Sequence, residues 1–113
     1  MSKEVRIFLK GDGKKEYLKL KERNDKDAKS ILKSFERVKE TLRKNPHYGQ
    51  PIAKNKIPKK YLDLGIKNLY RAEISNFWRI LYTIEGNKIE ILLFILNIVD
   101  HPTYNKLLRY KKK

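Results

Sequence analysis

The sequence predicts an α+β domain in the order β-α-α-β-β-β-α, a helical hairpin packed on a small antiparallel sheet. Three patterns carry that prediction. Val5, Ile7 and Leu9 alternate with Arg6 and Phe8, the period of a strand. Ala28, Ile31, Leu32, Phe35, Val38 and Leu42 recur at helical spacing, so one face of a long helix must be covered. Three apolar runs then follow within residues 66–98, separated by tight-turn sequences.

Element by element, residues 3–10 read as the first strand and Gly11-Asp12-Gly13 as a turn. Residues 14–23 read as a short basic helix held by Tyr17, Leu18 and Leu20. Asn24 or Asp25 caps the second helix, which ends near Asn45-Pro46 because the residue before proline avoids the helical region. Residues 45–65 are punctuated by Pro46, Gly49, Pro51, Pro58 and Gly65 and read as irregular. Strands follow at 66–75, 77–85 and 88–98, turned at Ser75-Asn76 and Glu85-Gly86-Asn87. The last is apolar on both faces, Leu92, Phe94 and Leu96 on one and Ile91, Leu93 and Ile95 on the other, which suits a strand covered on both sides. Pro102 opens a final short helix. No repeat or linker divides the chain, so residues 1–113 are expected to form one domain with a basic tail at 110–113.

The net charge is +15, with +7 in residues 1–50 and +8 in the remainder. A charge spread in this way belongs to the folded body rather than to a detachable arm. Such a body attracts polyanions, so nucleic acid is the expected partner. The chain has no cysteine and only two histidines, His47 and His101. Disulfides and cysteine-ligated zinc are excluded, and neither a metal nor a cofactor is expected. The N-terminus lacks an apolar signal region, and the longest apolar run, 89–99, is about half of what a spanning helix needs. A cytoplasmic protein without a membrane partner is expected.

The block Asn68-Leu69-Tyr70-Arg71-Ala72-Glu73-Ile74-Ser75-Asn76-Phe77-Trp78-Arg79-Ile80-Leu81-Tyr82-Thr83-Ile84 resembles the central hairpin of the RelE/ParE toxin superfamily. The shared pattern is an aromatic, a basic residue, a short turn, then Arg, two aliphatics and Tyr. Asp100-His101-Pro102-Thr103-Tyr104 is similar to the segment that follows the last strand in that superfamily. With the helical hairpin, the resemblance covers nearly the whole chain. It implies a toxin paired with an acidic antitoxin. A RelE-like member cleaves messenger RNA, usually on the ribosome and without metal. A ParE-like member poisons DNA gyrase and lacks the ribonuclease residues.

Metal-free RNA cleavage needs a base for the 2′-hydroxyl, cations for the phosphorane and an acid for the leaving 5′-oxygen. Arg79 is the first candidate. Strand alternation sets it opposite the face of Trp78, Ile80, Tyr82 and Ile84, and a guanidinium there can grip phosphate bidentately. The bland alternative is a cross-strand ion pair with Glu73 or a solvated edge. His101 is a candidate for proton transfer, since an imidazole ordinarily titrates near neutrality, although Asp-His-Pro is also an ordinary helix start. Tyr104, one turn on, would stack on a base, donate its hydroxyl, or simply seal the helix onto the sheet. Arg71 and Glu73 share a face. Some family members carry two basic residues at these alternate positions, so Glu73 is a departure and stands as a general base or as a neutraliser of Arg71. Pro102-Thr103 likewise replace the basic residue usual after the last strand. Lys54, Lys56, Lys59 and Lys60 are candidate phosphate contacts on the loop before the hairpin. Trp78 and Tyr82 are expected in the core. The rival to a ribonuclease is a gyrase-directed toxin or a non-catalytic nucleic-acid binder on the same fold.

Overall fold

A computed structural model describes residues 3–109, so the expected tail at 110–113 lies outside the described residues. Its elements are β1 (Glu4–Leu9), α1 (Asp12–Glu22), α2 (Lys26–Lys44), β2 (Gln50–Pro51), α3 (Lys59–Leu62), β3 (Tyr70–Glu73), β4 (Arg79–Gly86), β5 (Glu90–Val99) and α4 (His101–Leu108). The strands form one sheet in the order β1-β5-β4-β3-β2. The α+β fold with its helical hairpin on a sheet is as the sequence predicts, and β5 is an interior strand covered on both faces, as its two apolar faces require.

Two details differ. The sheet is mixed, because β1 runs parallel to β5 from Glu4 opposite Glu90 to Leu9 opposite Ile95. The chain between β1 and β5 runs through both helices and the strands β2 to β4, the long connection that a parallel pair demands, so local sequence says nothing about its direction. The stretch read as irregular also holds structure. Gln50 and Pro51 pair with Arg71 and Tyr70 as an edge strand, and Tyr61 anchors the single-turn α3. Both elements are too short to show a hydrophobic period.

Each face of the sheet has its own core. On one, Ala28, Ile31, Phe35, Val38 and Leu42 of α2 pack on Ile80, Tyr82, Leu93, Ile95 and Ile98. Tyr17 of α1 meets Phe35 with ring centroids 5.5 Å apart. On the other, Ile57, Tyr61, Leu69, Tyr104 and Leu108 close over Leu81, Leu96 and Val99. Trp78 and Tyr82 lie with the α2 core as expected, Trp78 only partly buried.

Asn68 explains why β3 is shorter than its apolar run. Its amide nitrogen donates to the Ile84 carbonyl at 2.9 Å and its oxygen accepts from the Ile84 N–H at 2.9 Å, standing in for a ladder pair. A register shift beside Leu81 pairs Leu81 with Asn97 but Tyr82 with Ile95, so β5 carries a bulge at Leu96. The bulge turns Ile98 toward the helices and Val99 toward the second core. Glu16 of α1 then accepts the Ile98 N–H at 2.8 Å, beyond the point where β1 ends.

Candidate phosphate-binding site

The second face of the sheet ends in a cluster built from three elements. Arg71 on β3 and Arg79 on β4 both point to it, because their neighbours Ala72 and Ile80 fill the helix-side core. Asp100 caps α4 by accepting the Thr103 N–H at 3.0 Å, which holds its carboxyl below the usual range. That cap sets His101 in the first turn and Tyr104 one turn later on the same side.

Tyr104 is the pedestal. Its ring is 1 % exposed, with the Arg79 Cζ 4.6 Å and the Arg71 Cζ 5.8 Å from the centroid. Arg71 Nη1 donates to the Tyr104 hydroxyl at 3.0 Å, while its Nε and Nη2 donate to Gln50 Oε1 at 3.1 and 2.6 Å. A ring so enclosed cannot stack on a base, so sealing the helix and seating the arginines is its structural work. Arg79 Nη1 donates to His101 Nδ1. A guanidinium only donates, so Nδ1 is the acceptor in this contact. The Asn105 amide nitrogen lies 3.2 Å from His101 Nε2.

Glu73 faces Arg79 directly across the ladder and is exposed. Among the described residues these two make no ion pair. The buried Arg79 Nε also has no acceptor among the described residues. Arg79 therefore stands between Glu73 on its β3 side and His101 beyond β5 on the other.

Arg71, Arg79, His101 and Tyr104 thus meet, and Glu73 stands opposite Arg79 in the ladder and lines a pocket with Arg71. The four loop lysines sit on α3 and on the 3₁₀ turn before it. Lys60 stands 3.8 Å from Asp12 and lines a different pocket, of about 430 Å³, with Phe94, Leu96 and Thr83. Thr83 is four residues along β4 from Arg79, a separation of roughly 13 Å. Lys59 lies beside it on α3, and Lys54 and Lys56 sit in an exposed 3₁₀ turn, Lys54 lining a further hollow with Leu62 and Lys67. Sequence reasoning missed Gln50 and Asn105. The i, i+4 spacing of His101 and Asn105 was available as a signal; nothing local pointed to Gln50.

A helical hairpin on one face of a strand-rich core, with a C-terminal helix closing the other, is the RelE-like fold. Residues 9–97 match the family described as "ParE toxin of type II toxin-antitoxin system, parDE". The chain belongs to this family, within the ParE/RelE toxin superfamily, and membership implies an antitoxin partner. The matched segment contains Arg71, Glu73 and Arg79 and stops before His101 and Tyr104. No curated protein matches the chain. No helix among the described residues is long and apolar enough to cross a membrane.

Proposed function

We propose that this toxin is a metal-independent endoribonuclease that cleaves messenger RNA on the ribosome. The observation that carries the reading is the flanking of Arg79 by a carboxylate on one side and an imidazole on the other. In-line displacement at phosphorus needs a base and an acid on opposite sides of the phosphate. Arg71 and Arg79 bind the non-bridging oxygens and stabilise the charge that grows on them in the phosphorane. Glu73 takes the proton from the 2′-hydroxyl, whose oxygen attacks phosphorus. The P–O5′ bond breaks, and His101 protonates the leaving 5′-oxygen, giving a 2′,3′-cyclic phosphate and a 5′-hydroxyl.

Substrate entry sets up the acid. A phosphate that draws Arg79 away frees His101 Nδ1, and the added negative charge favours a proton there. The same movement gives the buried Arg79 Nε an acceptor, so the resting contact is one that substrate improves. The protein partners are the RNA in the decoding site and an acidic antitoxin that pairs with the arginines when the toxin is held inactive.

A second reading is a gyrase-directed toxin, favoured by the description of the matched family. Two assays separate them: cleavage of messenger RNA on programmed ribosomes, and DNA supercoiling by gyrase. Ribosomal cleavage with cyclic-phosphate ends supports the first. Gyrase inhibition without cleavage supports the second and overturns the first.

A further inference from the structure

Beside the arginine cluster lies a pocket of about 290 Å³ lined by Tyr48, Gly49, Gln50, Arg71, Ala72 and Glu73. The mechanism above uses Arg71 and Glu73 but leaves Tyr48, Gly49 and Gln50 without work. From these residues we infer that the pocket is a nucleobase subsite, taking the base of the nucleotide whose 2′-hydroxyl attacks. The inference rests on the ribonuclease reading and deepens it.

The wall of the pocket is an aromatic ring left available. Tyr48 is 51 % exposed, in contrast to the buried Tyr61, Tyr82 and Tyr104. It is also held in place rather than loose. Its N–H donates to the Asn45 carbonyl at 3.0 Å. The next residue, Gly49, donates to the buried Tyr82 hydroxyl at 3.0 Å, and that hydroxyl donates to the Pro46 carbonyl at 3.0 Å. A Cβ at Gly49 would collide with the Arg71 carbonyl and the Tyr82 hydroxyl, so the loop presses onto β3 as only glycine permits. A pre-set aromatic wall beside a phosphate grip is what single-stranded RNA recognition uses: bases stack on rings while guanidiniums hold the backbone.

Gln50 adds an edge contact. Its Oε1 is taken by both Arg71 Nε and Nη2, which fixes the amide and leaves its N–H groups to donate to a base acceptor. Glu73, on the same wall, then lies toward the sugar of the docked nucleotide, where the base of the reaction belongs. One nucleotide thereby meets stacking, edge recognition and deprotonation in a single pocket.

The test is a double-mutant cycle between protein and RNA. Cleavage is measured on programmed ribosomes for wild type and Tyr48→Ala. Each is given an intact message and one with an abasic residue immediately 5′ of the cut. Tyr48→Ala and the abasic substitution should each slow cleavage by roughly 10-fold, within the range of about 5- to 150-fold for one stacked base. Together they should cost little more than either alone. Tyr48→Trp should retain cleavage and Tyr48→Leu should not, because a stack needs a π-face. Losses that multiply independently, or full activity in Tyr48→Leu, would overturn the subsite while the ribonuclease reading stood. Failure of wild type to cleave an intact message overturns both.

Discussion

Tyr82 shows how a single buried hydroxyl places a loop. It accepts from Gly49 and donates to Pro46, and burial pushes its ionisation up to about 12. Tyr82→Phe orphans the Gly49 N–H and the Pro46 carbonyl and should cost about 1–3 kcal/mol. Urea unfolding at neutral pH measures it. A phenol whose folded pKa is raised contributes stability that is complete below its ordinary value of 10.0. That contribution is lost as pH rises through about 12, so wild type should lose stability over this alkaline window and Tyr82→Phe should not lose this share of it. The arginines were legible because alternation on a strand assigns faces: once Trp78, Ile80 and Tyr82 were placed in the core, Arg79 had to lie opposite. The partners of Arg79 were not legible, since whether it pairs with Glu73 or His101 depends on side-chain reach. Tyr104 was undecided for the same reason, because nothing in its spacing told that two guanidiniums would enclose its ring. Tyr48 and Gln50 sit among prolines and glycines, where no periodicity exists to assign a face.

At the scale of elements, the meeting of α1 with the bulged end of β5 is the least obvious feature. Glu16 reaches Ile98 N–H and the Asn97 amide, while Tyr61 O–H donates to the Asn97 oxygen. Burial raises the Glu16 pKa from 4.5, against the hydrogen bonds that lower it. A raised carboxyl contributes stability that is complete below 4.5 and lost as pH rises through the folded value. Glu16→Gln keeps an acceptor for Ile98 N–H without the charge. Its stability relative to wild type should therefore rise with pH above 4.5, as thermal melting at several pH values would record. The turn between β3 and β4 offers a second prediction. Asn76 and Phe77 both have positive φ, at 61° and 62°, and Ser75 pins the turn to Ser34 and Ser30 of α2. Asparagine tolerates that region; phenylalanine does not, and its ring is 82 % exposed. Phe77→Gly should raise stability by about 0.5–1 kcal/mol, the left-handed strain outweighing the entropy of glycine. An unfolding midpoint at or below that of wild type would contradict it. The sequence predicted every element long enough to repeat its period, α2 above all. It predicted neither the parallel pairing of β1, which joins residues 86 apart, nor the bulge, which shifts the register inside the β4–β5 hairpin without a sequence signal.

Across the whole molecule, a net charge of +15 surrounds a cluster in which Arg79 meets His101 and Tyr104 and makes no ion pair among the described residues. RNA binding should weaken steeply as salt rises, through counterion release. A plot of log affinity against log salt should lose a slope of about 0.7 in Arg79→Ala, one single-strand phosphate contact, and be unchanged in slope by Tyr48→Ala. A flat plot for wild type would remove nucleic acid as the ligand. The fold itself was readable because charge, period and turn chemistry all agree along most of the chain. The chemistry was readable only as a set of residue types, since convergence is a property of the sheet. The measurement closest to the central claim is the cleavage rate of messenger RNA on programmed ribosomes by wild type and Arg79→Ala, with folding checked by melting and product ends identified. The account predicts a loss of about 10²-fold or more in Arg79→Ala and 2′,3′-cyclic phosphate ends from wild type. Cleavage at the wild-type rate by a folded Arg79→Ala protein would contradict it.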